Sequence, residues 1–111
     1  MMKDDTVFLR HILDAINKIQ EYAQGMDFEE FRKSSLVQDG VIRQLEIIGE
    51  ATKNLSEEIR GKHPDIPWKD IAGMRDKLIH QYFGVDIAGV WETVAKDIPI
   101  LKSKLIKLLG K

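Results

Sequence analysis

The 111-residue sequence predicts an all-α protein, an antiparallel bundle of four to five helices in which 1–111 forms one domain. Three observations predict it. Apolar residues recur at steps of three and four in four separate stretches, which gathers them on one face of a helix. No stretch alternates apolar and polar residues as a half-buried strand does. The breaks between stretches are short and carry Gly or Pro, so consecutive helices must double back.

Residues 5–24 form the first expected helix, with Leu9, Ile12, Leu13, Ile16, Ile19 and Ala23 on its buried face. Asp4, Asp5 or Thr6 can cap its free N–H groups, and Gly25 suits its C-terminal end. Asp27-Phe28-Glu29-Glu30 reads as a capping box opening a short helical turn, and Ser35 with Gln38 as a second one. Residues 36–55 follow as a long helix whose stripe is Val37, Val41, Leu45, Ile48 and Leu55. Ile42 and Ile47 widen that stripe, so the helix should touch more than one neighbour, and Gly49 hints at a close approach.

Residues 56–66 read as a connector with one helical turn at 57–60. A third helix should run from Pro67, placed in its first turn, to Tyr82, with Gly84 marking its end. Asp86 can cap a fourth helix carrying Ile87, Val90, Trp91, Val94, Ile98, Leu101, Leu105 and Leu108. Pro99 inside that pattern predicts a kink where the carbonyl of Ala95 loses its partner.

Composition removes several function classes. There are no cysteines, hence no disulfide framework, no thiolate nucleophile and no cysteine zinc site. No apolar run approaches the roughly 20 residues of a membrane span. Met1-Met2-Lys3-Asp4-Asp5 lacks the layout of a signal peptide, so the expected location is the cytoplasm. The net charge of −1 argues against a protein that coats nucleic acid. That average hides a split. Residues 1–59 hold seven Lys or Arg against twelve Asp or Glu, a net of −5. Residues 60–80 hold five against three, a net of +2, and include His63 and His80. Residues 81–111 repeat that count.

The third helix carries the most chemistry. At about 100° per residue, Ile71, Leu78 and Tyr82 share a face with Arg75 on its flank, and His80 falls about 140° from Arg75. Asp76 and His80 are four apart, so the carboxylate can orient the imidazole and hold its tautomer. One straight helix does not aim Arg75 and His80 at one point. Either it loosens at 79–82, or a second copy of the chain completes the site, which favours a homodimer.

Arg75-Asp76-Lys77-Leu78-Ile79-His80-Gln81-Tyr82 fits the R-x-x-x-x-H-x-Y motif of HepT-like toxins in the HEPN superfamily. The preceding Ile66-Pro67-Trp68-Lys69-Asp70-Ile71-Ala72-Gly73-Met74 also resembles that family. So does Val41-Ile42-Arg43-Gln44-Leu45-Glu46-Ile47-Ile48-Gly49-Glu50-Ala51. The resemblance covers nearly the whole chain, and Asp76 is among the polar residues usual after the motif arginine. It implies an all-helical, HEPN-like homodimer with the motif lining an interface cleft. It implies a metal-independent endoribonuclease toxin, with RNA as substrate and a minimal nucleotidyltransferase antitoxin as partner. Arg75 and His80 would be catalytic, Asp76 supporting, and Tyr82 the acceptor of AMP from the antitoxin. Lys69 and Lys77 are candidate RNA phosphate contacts.

These residue types suit the chemistry. RNA carries its own nucleophile, a histidine can move the proton, and a guanidinium can hold two phosphate oxygens. No cofactor is expected, and the three histidines lack metal-ligand spacing, so no metal is expected. His11 reads as structural, His63 as a solvated connector residue, and Trp68 and Trp91 as core or interface residues. Arg60 and Lys62 read as solvated charges. Glu46 and Glu50 share a helix face and read as salt-bridging carboxylates, with Arg43 or Lys53 in reach. The competing readings are a non-catalytic helical module that binds a nucleotidyltransferase and a nucleotide-binding helper domain. A pure adaptor has no need of Arg75 together with His80.

Overall fold

A computed structural model describes residues 4–80 and 86–110, with 75–80 described by their backbone alone. The described residues form α1 (Asp5–Tyr22), α2 (Phe28–Lys33), α3 (Ser35–Lys53), α4 (Glu57–Lys62), α5 (Trp68–His80), α6 (Ile87–Glu92) and α7 (Ile98–Leu109). A π-helical turn, Thr93–Asp97, joins α6 to α7. The four long helices α1, α3, α5 and α7 make the expected bundle, and no strand occurs among the described residues.

Helix α1 begins where Asp4 accepts the N–H of Thr6 at 3.1 Å. It ends in a turn closed by Met26 N–H donating to Ala23 O at 3.0 Å, with Gly25 at φ 75°. A side chain at Gly25 would be strained there, so this glycine is required by the backbone. Asp27 and Glu30 form the expected capping box of α2.

The cap of α3 lies one residue earlier than the sequence suggests. Ser34, rather than Ser35, accepts the N–H of Val37 at 3.2 Å. Gln38 instead donates through Nε2 to the carbonyls of Phe31 and Arg32, each at 2.9 Å. Those carbonyls belong to the last turn of α2, where i+4 N–H partners run out, and Phe31 O otherwise accepts the Ser34 N–H at 3.2 Å. Helices α1 and α3 run antiparallel, pinned at one end by Asp5 against Ser56 and at the other by Tyr22 over Gly40. A Cβ on Gly40 would lie 3.2 Å from two Tyr22 ring carbons, so the ring sits almost on the α3 backbone.

Helix α3 packs along both α1 and α5, which explains its widened stripe. Val41, Leu45, Ile48 and Leu55 are buried there, as are Gly49 and Gln44. Thr52 is buried too and donates its hydroxyl to Ile48 O at 2.8 Å. Helix α7 closes against α1, and α2 packs against α3 and α6. Phe31 and Trp91 meet there at 5.1 Å between ring centroids, tilted by 39°.

The expected turn at 57–60 extends to Lys62 and is capped by Ser56. Pro67 stands just outside α5 rather than within it, its carbonyl accepting Ile71 N–H at 3.0 Å. The single fourth helix expected from Asp86 is three pieces. Asp86 occupies the N-cap of α6 without a side-chain cap bond. Ahead of Pro99 the chain widens so that Ile98 N–H donates to Thr93 O, an i→i+5 bond. Proline has no N–H to return to Ala95, and the π turn absorbs that mismatch before α7 resumes.

Candidate active site

Helix α5 holds Lys69, Arg75, Asp76, Lys77 and His80 on one continuous stretch of helix. Its start is anchored from the core. Trp68 is buried and donates Nε1–H to His63 O at 3.0 Å, and that same carbonyl accepts Ile66 N–H. Ile66, Trp68, Ile71 and Met74 then seat the first two turns against the core cluster.

The backbone stays helical through His80. The helix thus holds at 79 and 80; of the loosening foreseen at 79–82, positions 81 and 82 lie outside the described residues. The backbone positions of Arg75 and His80 remain about 140° apart around the axis and about 7.5 Å apart along it. Tyr82 lies outside the described residues, as do the side chains of Arg75, Asp76, Lys77 and His80.

Lys69 is exposed and lines a groove of about 480 Å³ with Arg60, Glu57 and Pro64, at the turn from α4 into α5. Lys62 pairs with Glu58 at 3.4 Å, an exposed bridge of little energetic weight. His63 is half-buried as the C-cap of α4, and its backbone, not its ring, has a defined role. Both tryptophans are structural, as expected: Trp68 in the core and Trp91 against Phe31.

His11 departs from its expected structural role. It is exposed, meets Phe8 edge-on at 6.1 Å, and lines a groove of about 280 Å³ with Arg43, Glu46, Glu50 and Asn54. The sequence hides this groove because residues about 40 apart build it, and only the antiparallel packing of α1 on α3 brings them together. Glu46 pairs with Arg43 at 4.0 Å, as its spacing suggested. Among the described residues, no three His, Asp or Glu side chains converge in a way that could hold a metal ion. No described helix is long and apolar enough to cross a membrane.

The chain belongs to the HepT-like ribonuclease family, whose profile matches residues 12–108. It is 48% identical over 108 residues to the probable ribonuclease HepT of Thermococcus cleftensis, covering 97% of this chain and 98% of that protein. A provisionally named ribonuclease of Caldanaerobacter subterraneus subsp. tengcongensis is 48% identical over 110 residues, 99% of this chain and 98% of that one. A Methanocaldococcus jannaschii protein, named gamma-glutamylcyclotransferase and provisionally ribonuclease, is 50% identical over 109 residues. The match takes in 98% of this chain and spans about half, 49%, of that relative's length. No solved structure matches the chain significantly.

Proposed function

We propose that this protein is a single-domain, metal-independent endoribonuclease, the toxin of a toxin–antitoxin pair whose antitoxin is a minimal nucleotidyltransferase. The observation that carries the reading is the Arg75…His80 pair on α5 in a chain of the HepT-like ribonuclease family. A histidine removes the proton of the RNA 2′-hydroxyl. The 2′-oxygen attacks the adjacent phosphorus, the bond to the 5′-oxygen breaks, and that oxygen leaves with a proton from a second acid. The products are a 2′,3′-cyclic phosphate and a 5′-hydroxyl. Arg75 holds the phosphate oxygens as their charge grows.

Asp76 stands one turn before His80 and orients its ring. Lys69 and Lys77 attract the RNA backbone. The unbroken helix through His80 supports a cleft shared by two copies, one supplying the base and the other the acid. AMP transfer to Tyr82 would add negative charge and bulk beside the phosphate site and switch the enzyme off. The location is the cytoplasm, where both RNA and antitoxin are available.

The test is expression in a host that lacks the antitoxin. Wild type should arrest growth and cut RNA in the presence of EDTA, while Arg75→Ala and His80→Ala should do neither. Equal toxicity of all three would favour a helical binding module or helper of the transferase. A substrate with one 2′-deoxy sugar at the cut position should resist, and cleavage at the normal rate would sink the mechanism. With transferase, ATP and magnesium, the protein should gain the mass of AMP. The same gain in Tyr82→Phe would move the modification elsewhere.

A further inference from the structure

Arg60 of α4 and Lys69 of α5 line the same groove of about 480 Å³, with Pro64 and Pro67 of the connector between them and buried Trp68 behind. Arg60 is half-buried and Lys69 exposed, and neither forms a hydrogen bond or an ion pair through its side chain with another described residue. Lys62, by contrast, is engaged with Glu58 at 3.4 Å. Glu57 is the one carboxylate among the lining residues, so two cations stand there against one anion. The two cations belong to different helices, and only the turn from α4 into α5 brings them to one space.

From this groove one line of α5 stays clear of the core. At about 100° per residue from Lys69, Gly73 lies about 40° round the axis, and the backbone positions of Asp76 and His80 lie about 20° to either side. Ile71 is about 160° away and packs against the core, so the Lys69 line faces outward. Gly73 is exposed, and a Cβ there would meet nothing within 4 Å. Gly61, in the groove itself, is equally open. Bare backbone therefore joins the cationic groove to the position of His80, about 16 Å away along the axis. Asp76 is the acidic position on this line, and in the reading above it serves to orient His80. Asp70 stands about 100° off the line.

We infer that Arg60 and Lys69 together hold a phosphate of the RNA strand at a distance from the cut, and that the strand lies along the Lys69–Gly73–His80 line between the two. The inference rests on the ribonuclease reading above and gives its substrate a path and a length. The Arg60 guanidinium can take two phosphate oxygens through paired donors, and the Lys69 ammonium adds a point charge beside it. Such a contact touches no base edge, so it positions RNA without selecting its sequence. A stacked strand advances about 3.4 Å per nucleotide and a stretched one roughly twice that, which puts the groove about three to five nucleotides from a phosphate at His80. Gly73 lets the strand come close to the helix, where any side chain would stand in its way.

Binding is separated from cleavage by using the full chain with a 2′-O-methyl RNA of about ten nucleotides, which has no free 2′-hydroxyl to attack and is long enough to reach the groove. In fluorescence anisotropy, Arg60→Ala and Lys69→Ala should each weaken binding about three- to tenfold and lower the slope of log Kd on log salt by about 0.7. Arg60→Lys should keep that slope. Lys18→Ala, which removes an exposed cation of α1, should leave affinity and slope unchanged. Gly73→Glu sets a carboxylate on the path in open space, and glutamate favours helix over glycine, so binding should fall at unchanged circular dichroism. An equal loss in Lys18→Ala would overturn the inference, because net charge alone would then explain the others. So would wild-type affinity in Arg60→Ala and Lys69→Ala, wild-type affinity in Gly73→Glu, or a wild type that does not bind the oligonucleotide. Cleavage of unmodified RNA is scored separately: a chain that binds through Arg60 and Lys69 but leaves RNA intact sinks the ribonuclease reading and keeps the groove. Cleavage that proceeds equally well in all of these variants does the reverse.

Discussion

The carboxylate of Asp5 holds Ser56 by both of its donors: Oδ1 accepts the backbone N–H at 2.8 Å and Oδ2 accepts the hydroxyl at 2.6 Å. The hydroxyl of Ser56 in turn accepts Ile59 N–H at 3.2 Å and caps α4. One acid in the first turn of α1 thus fixes the start of a helix 51 residues away and, through it, the approach to α5. Asp5→Ala should cost about 1.5–3 kcal/mol, the range for hydrogen bonds to a charged group. Ser56→Ala should cost about 1–2 kcal/mol, as a lost cap does. Because both remove the same contact, the double variant should cost clearly less than their sum. Urea unfolding of the four proteins measures this, and strict additivity would show the contact to be energetically idle.

Phe31 is fully buried although it sits on a helix of only 6 residues. It locks α2 to α6 through Trp91. Phe31→Ala should cost about 3–5 kcal/mol, a large part of the roughly 5–15 kcal/mol that holds a domain folded. Tryptophan fluorescence should report it as a much lower unfolding midpoint, whereas Phe31→Leu should lose far less.

Trp68 separates a packing role from a base-stacking role. Trp68→Phe keeps an aromatic ring in the core and loses the Nε1–H bond to His63 O. Stability should fall by about 1 kcal/mol. Affinity for single-stranded RNA, measured by fluorescence anisotropy, should not change. A tenfold loss of affinity at unchanged fold would make the indole an RNA contact.

Glu29 and Arg32 form an exposed ion pair at 2.8 Å. The hydrogen bond from Arg32, and then its charge, lower the Glu29 carboxyl below its ordinary value. A lowered carboxyl stabilises the fold above its unfolded-state pKa, and that contribution disappears as pH falls through the folded-state value. The effect is small because water and salt screen the pair. An NMR titration should find the Glu29 carboxyl below its ordinary value, with the gap narrowing in high salt. A gap that persists in high salt would contradict this origin.

The long helices were legible from spacing alone. Leu9, Ile12, Ile16 and Ile19, or Val41, Leu45 and Ile48, leave an apolar face that only a helix can bury. The Asp27–Glu30 capping box was legible for the same local reason, since its partners are three residues apart. The cap at Ser34 was not, because Gln38 was drawn away by carbonyls of the preceding helix. The π turn was legible only as a disturbance near Pro99. Where the strain is absorbed depends on which neighbours of the helix must stay packed.

The candidate site divides in the same way. The sequence by itself determined that Arg75, Asp76 and His80 ride one helix and that the family is the HepT-like ribonucleases, because both follow from residue identity and short spacing. Only the tertiary structure decided that α5 stays helical to His80. Only it brought His11 of α1 beside Arg43 and Glu50 of α3. The physical reason is range. Helix periodicity and capping act over three or four residues. The meeting of distant surfaces is set by how whole helices pack, and in this chain Asp5 on Ser56 and Tyr22 on Gly40 fix the register of α1 on α3.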